Sequence, residues 1–341
     1  MKNKDGKLFF SMTYEYLEIY MAKQMGRSPA TIKTYRDALS LFRRFVHEVL
    51  GFSIVSFEFS QCTRNCIFDF MDWLKLKGSK PGSRNQRLAV IKSYLWFASD
   101  KDVSLQSIAL EVKRVPQCKD PKTDKRVLST EELAALLAQP KNNKMGIRDR
   151  SIMILLYDSA ARLAEILNLQ LTDICLDVNN PYIRVMGKGN KERVVAISVK
   201  TAQHAKQYIE TCRTIDSPDC NDLFYTIIKG NVDKMSEGNV ERFIQAYADK
   251  ARVEAPSMPE RVYPHMLRRT KATNLYQNGV ELSLVSRFLG HAHIETTKIY
   301  AKPSLNMMRD AVNVAPAPGI MEEEPVWAGS EDEMARLCGL R

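Results

Sequence analysis

The chain has 341 residues, enough for about two domains that each bury a core. Its 45% hydrophobic and 26% charged residues are typical of a globular protein. No run of ~18 apolar residues occurs, which excludes a membrane-spanning helix. The net charge of +10 favours a polyanionic partner such as nucleic acid, although a merely basic soluble protein would carry the same charge.

The seven cysteines are odd in number and scattered along the chain. Cys62 and Cys66 lack a second Cys or His pair at the spacing of a zinc site. We therefore expect reduced thiols and no structural metal. No signal peptide opens the sequence, so the expected compartment is the cytoplasm.

Residues 1–112 are predicted to form a helical domain of four helices with one basic face. Ser28 and Pro29 are a helix start, and the apolar residues that follow recur every three or four positions. Further helices are predicted over residues 67–74 and after Pro81. The last of these has basic residues at its outer positions, which we take as DNA-binding candidates although each could equally belong to a solvated face: Arg84, Arg87 and Lys92.

Residues 113–127 are predicted to be a basic linker. Two prolines interrupt the segment, and six bases against two acids give it a net charge of +4. Such a segment can lie along phosphates, although an exposed linker of no further function would look the same. Its DNA-binding candidates are Lys113, Arg114, Lys122, Lys125 and Arg126.

Residues 128–315 are predicted to form a second domain. Ser129 and Glu132 form a capping box at its start, and residues 149–158 are a strongly apolar helix. A hairpin is expected next: residues 182–186 alternate, residues 187–190 turn, and residues 191–197 return. Helices are expected to predominate from there to about residue 312.

Residues 316–341 are predicted to be a separate tail. Pro316, Pro318 and Gly319 interrupt regular structure, and Ser330 with Glu333 forms a second capping box. The helix that follows is too short to be stable alone, so we expect it to need a surface to dock on. A disordered acidic tail is the alternative.

Six residues have the side chains that metal-free phosphodiester transfer requires. That reaction needs arginines on the phosphate oxygens, an acid for the leaving oxygen and a nucleophile. Tyrosine can attack phosphorus and hold the phosphoryl group covalently. The candidates are Arg162, Lys188, His265, Arg268, His291 and Tyr300.

On these residues the sequence resembles the tyrosine recombinase (phage integrase) family over residues 8–312, and most strongly over 149–303. The matching elements are the first arginine, the hairpin lysine, His-x-x-Arg, and the Leu-Gly-His … Tyr ending. The resemblance implies a mainly α fold with a small β-sheet. It also implies an N-terminal SAM-like core-binding domain and a mixed α/β catalytic domain.

The resemblance also implies a role for each residue. Arg162 and Arg268 would clamp the scissile phosphate, and Tyr300 would attack it to form a 3′-phosphotyrosyl link and free a 5′-hydroxyl. The remaining roles are general acid for Lys188, proton transfer at the tyrosine for His265, a hydrogen bond to the phosphate for His291, and orientation of neighbouring groups for Glu165. Neither ATP nor a metal ion or other cofactor would be needed.

Three positions depart from the family pattern. Ala160 replaces a usual glycine two residues before Arg162, and Ala164 replaces a small polar residue before Glu165. Arg269 stands where a histidine is common. These differences concern local loop geometry and leave the catalytic set intact.

The layout resembles two-domain Xer-like and transposon-borne recombinases. It implies four protomers on two double-stranded DNA sites, with the tail helix of each docked on a neighbouring protomer. Accessory recombination proteins are expected as further partners. The expected function is integration or excision of a mobile element. Alternatives are resolution of chromosome or plasmid dimers, a type IB-like topoisomerase, and a DNA-binding factor without turnover.

Overall fold

The computed structural model describes residues 7–120, 126–187, 191–213, 220–291, 293–301, 303, 305–314 and 330–340. The chain divides into two compact units, Met1–Asp124 and Lys125–Arg341, each with a hydrophobic core of its own. The mainly helical fold with small sheets confirms the predicted fold class. Within the described ranges, no helix is both long and apolar enough to cross a membrane.

The first unit is a bundle of helices around an aromatic core. Its elements are a π-helix Glu15–Gln24, α1 Pro29–Glu48, α2 Arg64–Leu76, α3 Pro81–Lys101 and α4 Gln106–Lys113, with 3-10 turns at Phe59–Gln61 and Val103–Leu105. Ser28 caps α1 by accepting a hydrogen bond from the backbone N–H of Thr31, as its sequence predicts. In the core, the Phe9 ring packs against Phe42 and against Tyr94, with 5.2 Å between ring centroids in each pair.

The prediction of four helices was wrong by one, because α4 follows α3 as a fifth. Its buried residues are Ala109 and Val112. Two buried positions in eight residues are too few to give a helical period in the sequence. Its packing on α3 stabilises it instead.

The first part of the predicted linker, residues 113–120, lies against the first unit, and residues 121–125 lie outside the described residues. Val115 is buried in that unit's core, and the ammonium of Lys92 donates hydrogen bonds to the carbonyls of Lys113 (3.0 Å) and Val115 (2.6 Å). The side-chain amide of Asn85 exchanges two hydrogen bonds with the backbone of Cys118. Residues 113–120 are therefore attached to the first unit.

The second unit contains nine of the α-helices in the described ranges and two sheets. Its helices are α5 Thr130–Ala138, α6 Lys144–Asp158, α7 Leu163–Leu167, α8 Val199–Cys212, α9 Glu237–Ala251, α10 Pro264–Gln277, α11 Leu282–Leu289, α12 Leu305–Val314 and α13 Glu331–Leu337. Its strands are β1 Ile174–Cys175, β2 Tyr182–Met186, β3 Glu192–Ala196, β4 Tyr225–Ile228 and β5 Asn231–Lys234. Short 3-10 helices occur at Leu171–Asp173, Ile294–Thr296 and Lys298–Tyr300.

The predicted hairpin is present as β2 and β3, with β1 added at the edge in the order β1-β2-β3. All neighbours are antiparallel, and the register pairs Ile183 with Val195 and Val185 with Arg193. The hairpin β4–β5 interrupts the region expected to be helical. Every residue of β5 is exposed, so its sequence lacks the alternation of apolar and polar residues that predicts a half-buried strand.

A small apolar cluster in the second unit supports the candidate site. It joins the loop after α6, the helices α10 and α11, and the last 3-10 helix. Its buried members are Ala160, Ala272, Val285, Leu289 and Tyr300. The candidate nucleophile thus belongs to a packed cluster rather than to a free surface loop.

Candidate phosphoryl-transfer site

Arg162 and Glu165 are linked at the start of α7. The backbone N–H of Arg162 donates to Glu165 Oε2 (2.8 Å), and its Nη1 donates to Glu165 Oε1 (2.8 Å). This reciprocal pairing caps the short helix and holds the guanidinium beside it. The Arg162 side chain remains 42% exposed and can therefore still reach a ligand.

Arg193 on β3 shares the same carboxylate. Its Nη1 and Nη2 lie 3.0 Å and 2.8 Å from the two oxygens of Glu165, which is a bidentate ion pair. Burial alone would raise the pKa of Glu165, but the hydrogen bonds from Arg193 and Arg162 lower it to about 2. The sequence-based site did not include Arg193, and its only signal was its place in the strand that returns from the hairpin turn.

Arg268 lies on the inward face of α10 and is 1% exposed. It donates to the backbone carbonyls of Ala160 and Leu289, the second at 2.7 Å. Its Nε has no hydrogen-bond partner among the described residues. Burial, and then the charge of Arg162, lowers the pKa of Arg268 to about 10, so the guanidinium stays charged at neutral pH.

His291 follows the left-handed helix cap of Gly290, whose φ is +64°. Its Nε2 lies 3.2 Å from Arg268 Nη2, and its Nδ1 lies 2.8 Å from Thr297 Oγ1. Burial first, and then the charges of Arg268 and Arg162, lowers the pKa of His291 to about 4. The imidazole is therefore neutral at neutral pH.

Tyr300 ends the 3-10 helix Lys298–Tyr300 and is 2% exposed. Its ring lies nearly parallel to that of His291, with 6.1 Å between centroids and 21° between planes. The tyrosine is thus brought against the imidazole that contacts Arg268.

The two other candidates differ in what the structure describes. His265 is exposed in the first turn of α10, one helical turn before Arg268. Lys188 lies outside the described residues. Among the described residues on either side of it, the Gly187 N–H donates a hydrogen bond to the Lys191 carbonyl at 2.8 Å.

Several of the DNA-binding candidates have protein partners. Lys92 holds the 113–115 segment, and burial lowers its pKa. Arg126 pairs with buried Glu132 at 2.6 Å, and it also donates to the Ser257 carbonyl. Lys92 and Arg126 therefore each stabilise the fold of their own unit.

The remaining candidates are more varied. Arg87 donates to Ser79 Oγ at 2.8 Å, and the Lys113 ammonium lies over the Trp96 ring at 5.2 Å. Arg84 is half-buried and Arg114 is exposed. Lys122 and Lys125 lie outside the described residues.

The site as a whole is an anion-binding arrangement beside a tyrosine. Three guanidiniums gather around one carboxylate and one neutral imidazole, so net positive charge remains for a phosphate. No group of three or more His, Cys, Asp or Glu suited to a metal ion occurs in the part of the chain that the structure describes.

Residues 126–307 match the phage integrase family, and residues 15–102 match the phage integrase N-terminal SAM-like domain. The chain is 28% identical to the tyrosine recombinase XerC of Myxococcus xanthus over 306 residues, which is 88% of this chain and 96% of that protein. It is 30% identical to the tyrosine recombinase XerA of Pyrococcus furiosus over 290 residues, which is 85% of this chain and 89% of that protein.

The fold is also similar to that of the Tn1549 transposon integrase, solved in complex with a circular intermediate DNA. The TM-score is 0.68 at 16% identity, and the match covers 91% of this chain and 100% of the other. The family match spans more than half of the chain and includes the arginine, histidine and tyrosine site. The chain therefore belongs to the phage integrase family of tyrosine recombinases, enzymes that cleave and rejoin DNA through a tyrosine intermediate.

Proposed function

We propose that Tyr300 is the nucleophile of this recombinase and that Arg162 and Arg268 bind the scissile phosphate. The observation that carries the proposal is that the Nε2 atom of His291 contacts a buried guanidinium, Arg268, while the ring of His291 stacks on Tyr300. A phosphate between the two arginines would lie next to the only described tyrosine of this cluster. His291 would hydrogen-bond the same phosphate once Arg268 turns to that phosphate and the ring proton moves to Nε2, because both ring nitrogens have protein partners in the unbound site.

The reaction conserves the number of phosphoester bonds. The Tyr300 hydroxyl attacks phosphorus, its proton passes to His265 or water, and the bond to the 5′ oxygen breaks. Lys188 supplies the proton to that oxygen, which leaves as a hydroxyl. Rejoining reverses the steps with a 5′-hydroxyl as the attacking group, so no ATP is consumed. The two arginines supply the positive charge at the phosphate oxygens that a metal ion would otherwise provide.

Tyr300 must become accessible for this chemistry, since its side chain is 2% exposed. The two 3-10 helices, Ile294–Thr296 and Lys298–Tyr300, are short and are joined only through Thr297. Short 3-10 segments have weak hydrogen-bond geometry and repack at low cost. DNA binding would therefore select an arrangement in which the hydroxyl faces the phosphate.

Two biological roles fit the same chemistry. Integration or excision of a mobile element is our leading proposal, supported by the fold shared with the Tn1549 transposon integrase. Resolution of chromosome or plasmid dimers is the second, supported by the Xer recombinases that match nearly the whole chain. In both, a protein active in the cytoplasm would join four protomers on two double-stranded sites, with accessory proteins where direction must be imposed.

We further propose that residues 1–112 bind the core DNA site and residues 128–315 carry catalysis. The basic residues of the 113–127 segment would lie on the DNA between them. The exposed candidates Arg114 and Lys113 are best placed for that contact.

The proposal is tested by trapping the covalent intermediate in EDTA. Nicked duplexes tiled across the DNA that flanks the gene are incubated with the protein, and adducts are resolved on denaturing gels and mapped. We expect a 3′-linked adduct at one short site with the wild type and none with Tyr300→Phe. Adduct formation by Tyr300→Phe would contradict the assignment.

The same protein preparation distinguishes a recombinase from the alternative functions. A topoisomerase acting as a monomer would relax a supercoiled plasmid that lacks the mapped site. We expect that this protein does not relax such a plasmid. Specific binding without cleavage at any tiled site would instead indicate a DNA-binding factor without turnover. A plasmid carrying two mapped sites should yield exchanged products.

A further inference from the structure

Arg193 is a partly buried cation at the centre of the site. It faces inward from β3, opposite Val185 in the register, and its side chain is 17% exposed. Both terminal nitrogens bind Glu165, one on each carboxylate oxygen. A fork that binds two oxygens fixes the plane and direction of a carboxylate, which a single hydrogen bond cannot do.

Glu165 in turn holds Arg162. The carboxylate accepts two hydrogen bonds from Arg193 and two from Arg162, and each of its oxygens serves both arginines. Without Arg193 the carboxylate could rotate toward Arg162 and withdraw that guanidinium from the phosphate. The position of Arg162 therefore depends on Arg193 through Glu165.

Arg193 also fits against the backbone next to His291. A Cβ at Gly290 would lie 2.8 Å from Arg193 Nε, which is closer than side-chain carbons approach. One guanidinium thus contacts α7 and the end of α11 while it is carried by the hairpin. Its Nε has no hydrogen-bond partner among the described residues, so Glu165 fixes its orientation.

We propose that Arg193 is a positioning residue for strand cleavage: it orients Glu165, and through it Arg162, toward the scissile phosphate. This inference rests on the proposed role of Arg162. Its consequence is that loss of Arg193 slows the chemical step far more than it weakens DNA binding. A misplaced phosphate ligand about 1 Å away from its productive position costs on the order of 100-fold in rate.

The test compares Arg193→Gln with Arg184→Gln, which removes an exposed arginine from the neighbouring strand of the same hairpin. Single-turnover cleavage of the nicked site is measured at saturating protein, and binding of the intact site is measured in parallel. We expect Arg193→Gln to cleave on the order of 100-fold more slowly while its Kd stays within about threefold of the wild-type value. Arg184→Gln should cleave at the wild-type rate once bound.

The route through Glu165 is tested by a double-mutant cycle. If Arg193 acts through the carboxylate, Glu165→Gln with Arg193→Gln should cleave no more slowly than the slower single variant. If the rate losses of the two single variants instead multiply in the double variant, Arg193 does not act through Glu165. Arg193→Lys keeps the charge but not the fork, so it should also cleave at least about tenfold more slowly.

A second substrate separates the phosphate clamp from the leaving group. Replacing the 5′ bridging oxygen by sulfur makes a leaving group that needs no acid. The Arg193→Gln defect should persist on it, and restoration would show that Arg193 acts through the general acid instead. If thermal unfolding shows that Arg193→Gln is not folded, both tests are made with Arg193→Lys.

Wild-type-like cleavage by folded Arg193→Gln or Arg193→Lys would overturn the inference and leave the proposed function intact. The proposed function itself fails only if the wild-type protein forms no adduct at Tyr300. One set of cleavage reactions therefore distinguishes a failure of the inference on Arg193 from a failure of the proposed function.

Discussion

The Nη2 of Arg268 lies 3.2 Å from the Nε2 of His291, and this contact fixes the protonation of the imidazole. A guanidinium only donates hydrogen bonds, so Nε2 must accept and cannot hold a proton. The neutral ring therefore keeps its proton on Nδ1 and donates it to Thr297 Oγ1 at 2.8 Å. Thr297, which is fully buried, thus provides the hydrogen-bond acceptor for the tautomer that Arg268 selects.

Thr297→Val should remove the acceptor of His291 while keeping the shape of the side chain. An unsatisfied donor costs about 1–3 kcal/mol, so we expect the free energy of unfolding to fall within that range. Cleavage should also slow by roughly tenfold, because the ring loses its fixed orientation beside Tyr300. Urea unfolding and single-turnover cleavage measure the two effects.

The neighbouring threonine provides the matched control. Thr296 is exposed, and its hydroxyl bonds the carbonyl of His293 instead of an imidazole. Thr296→Val should change stability by less than about 0.5 kcal/mol and leave cleavage unchanged. Equal effects from the two substitutions would argue against the role assigned to Thr297.

Stability should fall in mild acid because of His291. Its pKa is lowered to about 4 in the folded chain from an ordinary value of 6.5, so the unfolded chain binds more protons between these values. The stabilisation is therefore complete above pH 6.5 and is lost as the pH falls toward 4. We expect His291→Asn to lose less stability than the wild type between pH 7 and about 4.5, as measured by urea midpoints. Parallel losses in both proteins would assign the effect to other groups.

Gly290→Ala should impair cleavage through Arg193 as well as through the backbone. The left-handed φ of +64° costs an alanine about 1–2 kcal/mol, and the new Cβ would collide with the guanidinium. Gly279→Ala is the control, since Gly279 has φ +83° and open space around its Cα. Both variants should lose similar stability in thermal unfolding, but only Gly290→Ala should cleave more slowly. Normal cleavage by a folded Gly290→Ala would show that the contact is dispensable.

Ala160 occupies a left-handed backbone position, with φ +46°, and its carbonyl accepts a hydrogen bond from Arg268. Ala160→Gly relieves the backbone strain but loses a buried methyl group and gains chain entropy when unfolded. The three terms nearly cancel, so stability should change by less than about 1 kcal/mol. Ala160→Val should destabilise by more than about 2 kcal/mol, because a β-branched residue fits this conformation poorly and has no space. Thermal unfolding distinguishes them, and a well-tolerated valine would contradict the strain.

Removal of residues 316–341 should affect assembly rather than binding. Leu337, the last residue of α13, and Leu340, just beyond it, are 74% and 79% exposed, which suits a helix that docks on another protomer. We expect the truncated protein to bind a single site normally and to form fewer paired-site complexes in native gels. Leu337→Ser with Leu340→Ser should reproduce the defect, whereas Glu331→Gln should not. Full recombination by the truncated protein would remove the docking proposal.

Local signals in the sequence were sufficient for most of the elements. Ser28, Ser129 and Ser330 predict helix starts, and each stands at one in the structure. Ser28 and Ser129 accept hydrogen bonds from backbone N–H groups of the first turn, and the Ser330 N–H donates to the Glu333 carboxylate, so each signal is local. The alternation of residues 182–186 and the turn after them predicted the β2–β3 hairpin for the same reason. The family resemblance rested on residue types in order, and the family match confirms it.

Other features depended on contacts between distant parts of the chain. The helix α4 and the hairpin β4–β5 carry too little periodicity to be predicted, and packing stabilises α4. Lys92 resembles a DNA-binding lysine in sequence, yet its ammonium holds the carbonyls of residues 113 and 115. Charge is visible in a sequence, but the partner that uses it is not.

The site shows the same division. The sequence alone determined which side chains could perform phosphoryl transfer, since arginine, histidine and tyrosine have that chemistry wherever they lie. Only the tertiary structure decided that Arg193 shares Glu165 with Arg162, and that Tyr300 is buried against His291. The physical reason is that hydrogen-bond geometry and burial arise where separate elements meet, and neither is encoded in any one segment.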